Sequence, residues 1–343
     1  MTRAAVLMAA ALSASAALAG CSLGGSERVG SERAADTRVL TMLNPVDNRQ
    51  ELTQFVDEVS RLSDDTLRIR IVPAGHEGAD YEAATIRDVQ DGRADLAFAA
   101  SRAWDEFGAR SLRALGAPFL VDSYPLQDRV LTSGLAGSML EELQPLGLVG
   151  IGILPGPIRR PFGVASALAA PSDFRGLTIG TQQSRVADAT LRALGARPQR
   201  LPAAVSSLAG LDGIEHFVAA IEAGRLDRDG SHLMTNINLW PRPLVIFASA
   251  QSYRHLSGDQ RRILRTAAAS IVPEKLAADR VGEAETGANL CRKGRAIEVQ
   301  CDRRTHVCSL ACGAMPSSVS TLPEAVFFKV PEMTPCLLIA SCV

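Results

Sequence analysis

Residues 173–195 read DFRGLTIGTQQSRVADATLRALG, and their pattern is that of a short strand, a turn and a helix. Leu177 and Ile179 are the apolar residues ahead of the turn at Gly180. Three polar side chains follow, then Ser184, a residue type that caps helix starts; Val186, Ala189, Leu191 and Leu194 fall on one helical face. Such a unit belongs to an α/β fold. Ligands of open α/β sheets sit beyond the carboxyl ends of the strands, which puts Gly180–Ser184 at a binding edge. The free N–H groups and the dipole of a helix starting near Ser184 favour an anion there.

The same alternation continues on both sides. TRVLTML (37–43) is an apolar strand, and Arg49–Leu62 is a helix with Leu52, Phe55, Val56, Val59 and Leu62 at helical spacing. TLRIRIVP (66–73) alternates as a half-buried strand, YEAATIRDVQDG (81–92) is a helix closed by Gly92, and ADLAFAAS (94–101) is a buried strand. Two helices (125–133 and 136–147) lead to the apolar strand LVGIGIL (148–154). This βαβα order predicts an α/β lobe over residues 37–154 with a largely parallel sheet.

A second α/β lobe is expected over 155–238. It holds RPFGV (160–164), the strand–turn–helix above, ARPQRLP (196–202) and a helix through IEHFVAAIEAG (214–224). SHLMTNINLW (231–240) and PLVIFAS (243–249) read as strands that return the chain, so residues 239–256 complete the first lobe. Residues 257–294 form a long helical region that Pro273 kinks or breaks. Two lobes joined by chain crossings describe an α/β clamshell that traps a ligand between them.

With 343 residues there is room for two such lobes, and a net charge of −1 gives no sign of a nucleic-acid partner. The N-terminus has Arg3, an apolar run from Ala4 to Ala19, and then Leu18-Ala19-Gly20-Cys21. This is the pattern of an export signal, and its end resembles the bacterial lipobox, in which Cys21 is lipidated and becomes the mature N-terminus. The run is short and alanine-rich for a transmembrane anchor. Residues 22–36 read as a flexible polar tether, so the folded part is expected outside the cytoplasmic membrane and anchored to it.

The other six cysteines, Cys291, Cys301, Cys308, Cys312, Cys336 and Cys342, all lie beyond residue 290. His306 stands among them, but the paired short spacings of a zinc site are missing, and no metal is expected. The exported compartment allows disulfides. Residues 295–343 form an atypical Cys-rich tail. From about Cys301 charges thin out, and neither caps nor alternation is visible. The tail is read as translation in a shifted frame that replaces native C-terminal helices.

Taken together the segments resemble the extracytoplasmic solute-binding subunits of TRAP transporters, the DctP-like family. The resemblance runs from about Thr37 to Gly294. It rests on residues 51–75, the Val89-x-x-Gly92-x-x-Asp95 turn, Pro118-Phe119-Leu120, Asp173-x-x-Gly176-Leu177, Asp212-Gly213-x-Glu215 and LSGDQRRILRTAA (256–268). It implies a two-lobed periplasmic-binding-protein-like clamshell. It also implies capture of a small organic acid and delivery to a membrane-embedded permease driven by an ion gradient, with no cofactor.

In this family an arginine usually stands in the strand of G-L-x-I-R and grips the ligand carboxylate. Here Gly180 holds that position. A bidentate arginine supplies both geometry and charge, so its loss calls for a replacement. GPIRRPFGV corresponds to the segment where the family often has a second cleft arginine, which makes Arg159 or Arg160 the expected substitute. Arg185, on the helix's first turn, opposes the dipole and suits a surface role equally well. The site then uses backbone N–H groups, Gln182, Ser184 and a neighbouring arginine, or its ligand carries no carboxylate.

Strand ends add further cleft candidates: Asn44, then Ser101 and Arg102 with Trp104 close behind, and Asn236, Asn238 and Trp240 in the presumed crossing. An aromatic beside two amides suits a ring or sugar-like face, while ordinary packing accounts for either tryptophan equally well. Glu215 and Asp212 could accept ligand hydroxyls, and a D-G turn explains them without one. A nucleophile elbow, HExxH and Cys-x-x-Cys are missing, so an enzyme is not expected. The competing reading is an extracytoplasmic sensor that presents its ligand to a signalling partner.

Overall fold

Strand β1 (Arg38–Asn44) lies between β2 (Leu67–Pro73) and β3 (Leu96–Ala100), parallel to both, and helices α1 (Gln50–Leu62) and α2 (Tyr81–Gln90) make the connections. The computed structural model describes residues 37–46, 50–301 and 308–311. The export signal, Cys21, the tether and most of the tail lie outside the described residues.

After β3 the chain makes two 3-10 turns (Ser101–Glu106 and Ser111–Gly116), then α3 (Tyr124–Thr132), α4 (Gly134–Glu141) and β4 (Leu148–Leu154). It crosses to the second lobe through β5 (Ile158–Gly163), β6 (Thr178–Thr181), α5 (Arg185–Ala193), β7 (Arg197–Arg200), β8 (Gly213–Phe217), α6 (Val218–Ala223), β9 (His232–Met234) and β10 (Trp240–Pro241). β11 (Leu244–Ser249) returns to the first sheet, antiparallel between β3 and β4, which gives the order β2-β1-β3-β11-β4. Its alternation decides the core. Leu244, Ile246 and Ala248 join the apolar layer under α1 and the later helix α8 (Gly258–Ser270), while Val245 and Phe247 pack with Trp104 on the other face.

The second sheet, which takes in β12 (Ala296–Cys301) and β13 (Cys308–Ala311) near the end of the chain, has the order β13-β12-β9-β5-β8-β6-β7, with β10 paired to β5. β6 runs parallel to β7 and β8, and β5 runs antiparallel to β8 and β9. The two crossings lie against each other. Arg242 N donates to Pro157 O at 3.0 Å, and Gln127 of α3 holds the Gly156 backbone from both sides (Nε2 to O 3.0 Å; Gly156 N to Oε1 2.8 Å). A Cβ on Gly156 would stand 1.8 Å from the Arg242 carbonyl oxygen, so glycine is what lets the crossings touch.

After β11 come α7 (Ala250–Arg254), α8, and the 21-residue α9 (Val272–Arg292). A capping box of Ser257 and Gln260 starts α8. Pro273 sits in the first turn of α9, where its missing N–H has no intrahelical partner to lose, so it separates two helices. Among the described residues no helix is long and apolar enough to cross a membrane.

Three segments depart from the sequence reading. The helix expected over residues 214–224 is strand β8 up to Phe217 and helix α6 only from Val218. A strand flanked on both sides and buried on both faces loses the alternation that marks strands. The strand expected over 231–240 is interrupted, with only β9 and the two-residue β10 at its ends. In the tail, β12 (Ala296–Cys301) pairs with β9, and β13 (Cys308–Ala311) pairs with β12, although Cys308–Ala311 lies in a stretch read as patternless. Cys291, at the end of α9, is disulfide-bonded.

Candidate functional site

The stretch 173–195 folds as a strand followed by a helix, with Gly180 inside the strand rather than in the turn expected from the sequence. Ser184 caps α5, its Oγ accepting from Ala187 N at 3.2 Å, and Gln182 stands at the carboxyl end of β6. Alternation along β5 sends Arg159 and Arg160 to opposite faces. Arg159 is completely buried beside Glu215 of β8. Its Nε donates to Glu215 Oε2, its Nη2 to Glu215 O (2.8 Å) and Oε1 (3.2 Å), and its Nη1 to Gln182 Oε1 (3.0 Å). Thr181 Oγ1 donates to Glu215 Oε1 at 2.7 Å and completes the holder.

The first lobe brings a second guanidinium to the same place. Arg102, in the 3-10 turn after β3, donates from Nη2 to Gln182 Oε1 at 2.7 Å and to Tyr81 Oη at 3.1 Å, and it pairs with Glu82. Glu82 is held in turn by Ala100 N at 2.9 Å. One amide oxygen is therefore the common acceptor of two buried arginines from opposite lobes. Arg102 Nε and Nη1 are buried without a hydrogen-bond partner among the described residues.

Arg242, on the returning crossing, lies with its guanidinium 5.8 Å from the Phe217 ring centroid. The field of these cations is felt by His216. Burial first, and then Arg159, Arg242 and Arg102, hold its pKa well below the ordinary histidine value, so the ring is neutral. Its Nδ1 accepts from Phe217 N at 3.0 Å. Burial also pulls Arg159 below its usual pKa, and the Glu215 carboxylate opposes that pull. Burial, followed by Glu82, raises the Tyr81 phenol.

The start of α5, read from sequence as an anion seat, holds a carboxylate of the first lobe. Asp105 Oδ2 accepts from Ser184 Oγ (3.1 Å), Arg185 N (3.1 Å) and Val186 N (3.3 Å). Arg185 points outward and pairs with Glu106 at 3.2 Å, an acid that offsets its unfavourable position on the dipole.

The other sequence candidates fall elsewhere. Arg160, on the opposite face of β5, pairs with Glu283 of α9 and donates to Thr235 O. A Cβ on Gly180 would point at Leu211 and Leu201, 2.9 and 3.0 Å from their methyl groups, inside the apolar core of the second lobe. Asn44 is buried, its Oδ1 accepting from Val46 N at 3.2 Å, and Ser101 N donates to Pro243 O at 2.8 Å. Asn238 Nδ2 donates to Asp122 O at 2.6 Å, Asn236 is exposed, and Trp240 packs with Ala187, Leu239 and Phe119.

Arg159, Gln182 and Glu215 thus meet, with Arg102 opposite and Ser184 two residues on from Gln182. Asp105 and Arg242 were not among the sequence candidates, since each acts through contacts distant in the chain. A cavity of about 480 Å³ opens beside Phe217, bounded by Gln54 of α1, Pro157 of the crossing and Lys275 and Asp279 of α9. Among the described residues no three His, Cys, Asp or Glu side chains are grouped to hold a metal ion.

The family described as bacterial extracellular solute-binding protein, family 7 (DctP), matches residues 46–300 of the chain. A curated relative, the uncharacterized protein y4mM of Sinorhizobium fredii, is 26% identical over 222 residues, 63% of this chain and 40% of its own length. The chain therefore spans about 40% of the curated relative it matches.

Solved structures share the fold at low identity. A sugar-acid-binding protein of Advenella mimigardefordensis in complex with galactonate superposes with a TM-score of 0.68 at 19% identity, over 77% of this chain and 86% of that one. A TRAP periplasmic solute-binding protein from a Bradyrhizobium species, in complex with galacturonate, gives 0.66 at 21% identity over 76% and 89%. One from a Polaromonas species bound to D-erythronate gives 0.65 at 20% over 76% and 87%.

Proposed function

Because the chain belongs to family 7 of the bacterial extracellular solute-binding proteins, we propose that it captures a small organic acid between its lobes as the solute-binding subunit of a TRAP-type secondary transporter. One observation carries the reading. Arg102 of the first lobe and Arg159 of the second donate to the same Gln182 oxygen, at 2.7 and 3.0 Å. A solute carboxylate replacing that amide oxygen receives charge-assisted bonds from both lobes at once, which ties binding to closure. The sugar acids held by the three solved relatives indicate the class: a hydroxylated monoacid of four to six carbons.

The membrane-embedded partner is a TRAP permease, and the Leu18–Cys21 lipobox supports anchoring of the protein to the membrane through lipidated Cys21. Cys21→Ser should release the protein into the soluble fraction; continued membrane retention would remove the anchor from the account. Binding is tested by isothermal titration with galactonate, galacturonate and D-erythronate on wild type and Arg102→Gln. At least one acid should bind, and its affinity should fall tenfold or more in the variant. No binding by any of the three, or equal binding by the variant, would sink the reading.

A further inference from the structure

The 3-10 turn Ser101–Glu106 turns two side chains of opposite charge toward the second lobe. Arg102 and Asp105 stand three residues apart, so they eclipse on one face of the turn, separated by about 6 Å along its axis. Arg102 meets Gln182, and Asp105 meets the first amides of α5. Asp105 is 2% exposed. Its Oδ2 takes Ser184 Oγ, Arg185 N and Val186 N, and its Oδ1 takes Arg113 Nε at 3.1 Å. The helix start, with its N–H groups and dipole, is thus satisfied by a carboxylate that the protein itself carries. On the Arg102 side the situation is the reverse. That side chain is 7% exposed and keeps Nε and Nη1 buried without a partner among the described residues, which points to a ligand atom there.

We propose that Asp105 sets the charge of the solute: it acts as a built-in second acid group, so the cleft accepts an acid with one carboxylate and rejects the matching acid with two. The inference rests on the cleft being an acid-binding site. A diacid of four to six carbons held by one carboxylate on Arg102 and Arg159 has a second carboxylate to place, and Asp105 stands about 6 Å along the turn axis from Arg102. Directed along the turn, that carboxylate finds the amides of α5 already engaged and meets the buried Asp105 carboxylate, a like charge that its pairing with the part-exposed Arg113 offsets only in part. A monoacid presents a hydroxyl in the same place, which can donate to the Asp105 carboxylate. The discrimination comes from a repulsive element as much as from an attractive one.

The experiment compares acids of equal chain length, erythronate with tartrate and galactonate with galactarate, by isothermal titration of the full-length protein at pH 7. Wild type, Asp105→Asn and Asp105→Ser are used, with melting curves to establish that each is folded. Asparagine keeps an oxygen for the α5 amides while removing the charge and the acceptor of Arg113 Nε. Wild type should prefer the monoacid of the pair it binds by tenfold or more, and the preference should shrink at least tenfold in the variants. A wild type that binds the diacid as tightly, or a preference that stays within threefold in both variants, would overturn the role of Asp105. If wild type binds none of the four acids, the acid-site reading itself fails and this inference fails with it.

Discussion

Arg160 on β5 and Glu283 on α9 form a buried ion pair across 123 residues of sequence, with Arg160 Nε donating to Glu283 Oε1 at 2.9 Å. The same carboxylate accepts from Tyr124 of α3, and Arg160 also donates to Thr235 O, so one acid joins both lobes to the long helix. Burial, followed by Glu283, raises the Tyr124 phenol well above its usual pKa and keeps it a donor. Removing one partner of a buried pair strands the other charge, which costs about 3–5 kcal/mol. Glu283→Gln should therefore lower the unfolding free energy in urea by about 3 kcal/mol. A loss under about 1 kcal/mol would show that the pair does not brace the lobes.

Glu215 does the corresponding work on the other face of β5. Glu215→Gln leaves the fully buried Arg159 without its counter-ion and should destabilise by about 3 kcal/mol. Thr181→Val removes a single donor to that carboxylate, for about 1.5 kcal/mol. Because both act on one network, the double variant should lose clearly less than the sum. Additive losses in a double-mutant cycle would mean that Thr181 and Glu215 are not coupled.

His216 makes stability depend on pH. The buried ring stays neutral in the folded protein, whereas in the unfolded chain it takes a proton near pH 6.5. Below that value the unfolded state binds more protons, so stability is full above about pH 6.5 and falls as the pH drops toward the folded-state pKa, by at most about 1.4 kcal/mol per pH unit. His216→Asn, which can keep an acceptor for Phe217 N, should flatten the urea-derived stability profile between pH 6.5 and 5. Parallel profiles for wild type and variant would rule His216 out as the cause.

Restoring an arginine at Gly180 should not restore a grip. The Cβ vector there meets the methyl groups of Leu201 and Leu211, so Gly180→Arg drives a guanidinium into an apolar cluster. Gly180→Ala should cost about 1 kcal/mol by overpacking against leucine ends that can shift. The arginine variant should melt far lower and bind no tighter. Tighter binding of an acid at unchanged melting temperature would show that the Gly180 position opens to the cleft rather than to the leucine core.

Much of the fold was legible because its signals are local. Ser184 sits one residue before α5, and Gly92 directly follows the C-cap of α2. Strand β8 was misread because its centre carries Glu215 and His216, polar residues that the interior tolerates only through partners distant in sequence. The proposed site was legible only down to a pair of adjacent arginines, since the register of β5 decides which face each takes. Asp105 gave no signal: in SRAWDEFG it looks like any surface acid, and its acceptor role is defined by amides 80 and 81 residues away.

The consecutive arginines of β5 carry one more consequence. Arg159 meets Glu215 and Gln182, Arg160 meets Glu283 of α9, and the period of a strand is two. A one-residue slip in the register of β5 would turn both to the opposite faces, and in one direction would bring Arg159 to Glu283 and leave Glu215 without its partner. β5 is thus a length-locked segment. The loops before and after it can change length without touching this arrangement, whereas an odd-numbered slip within it turns each arginine to the other face.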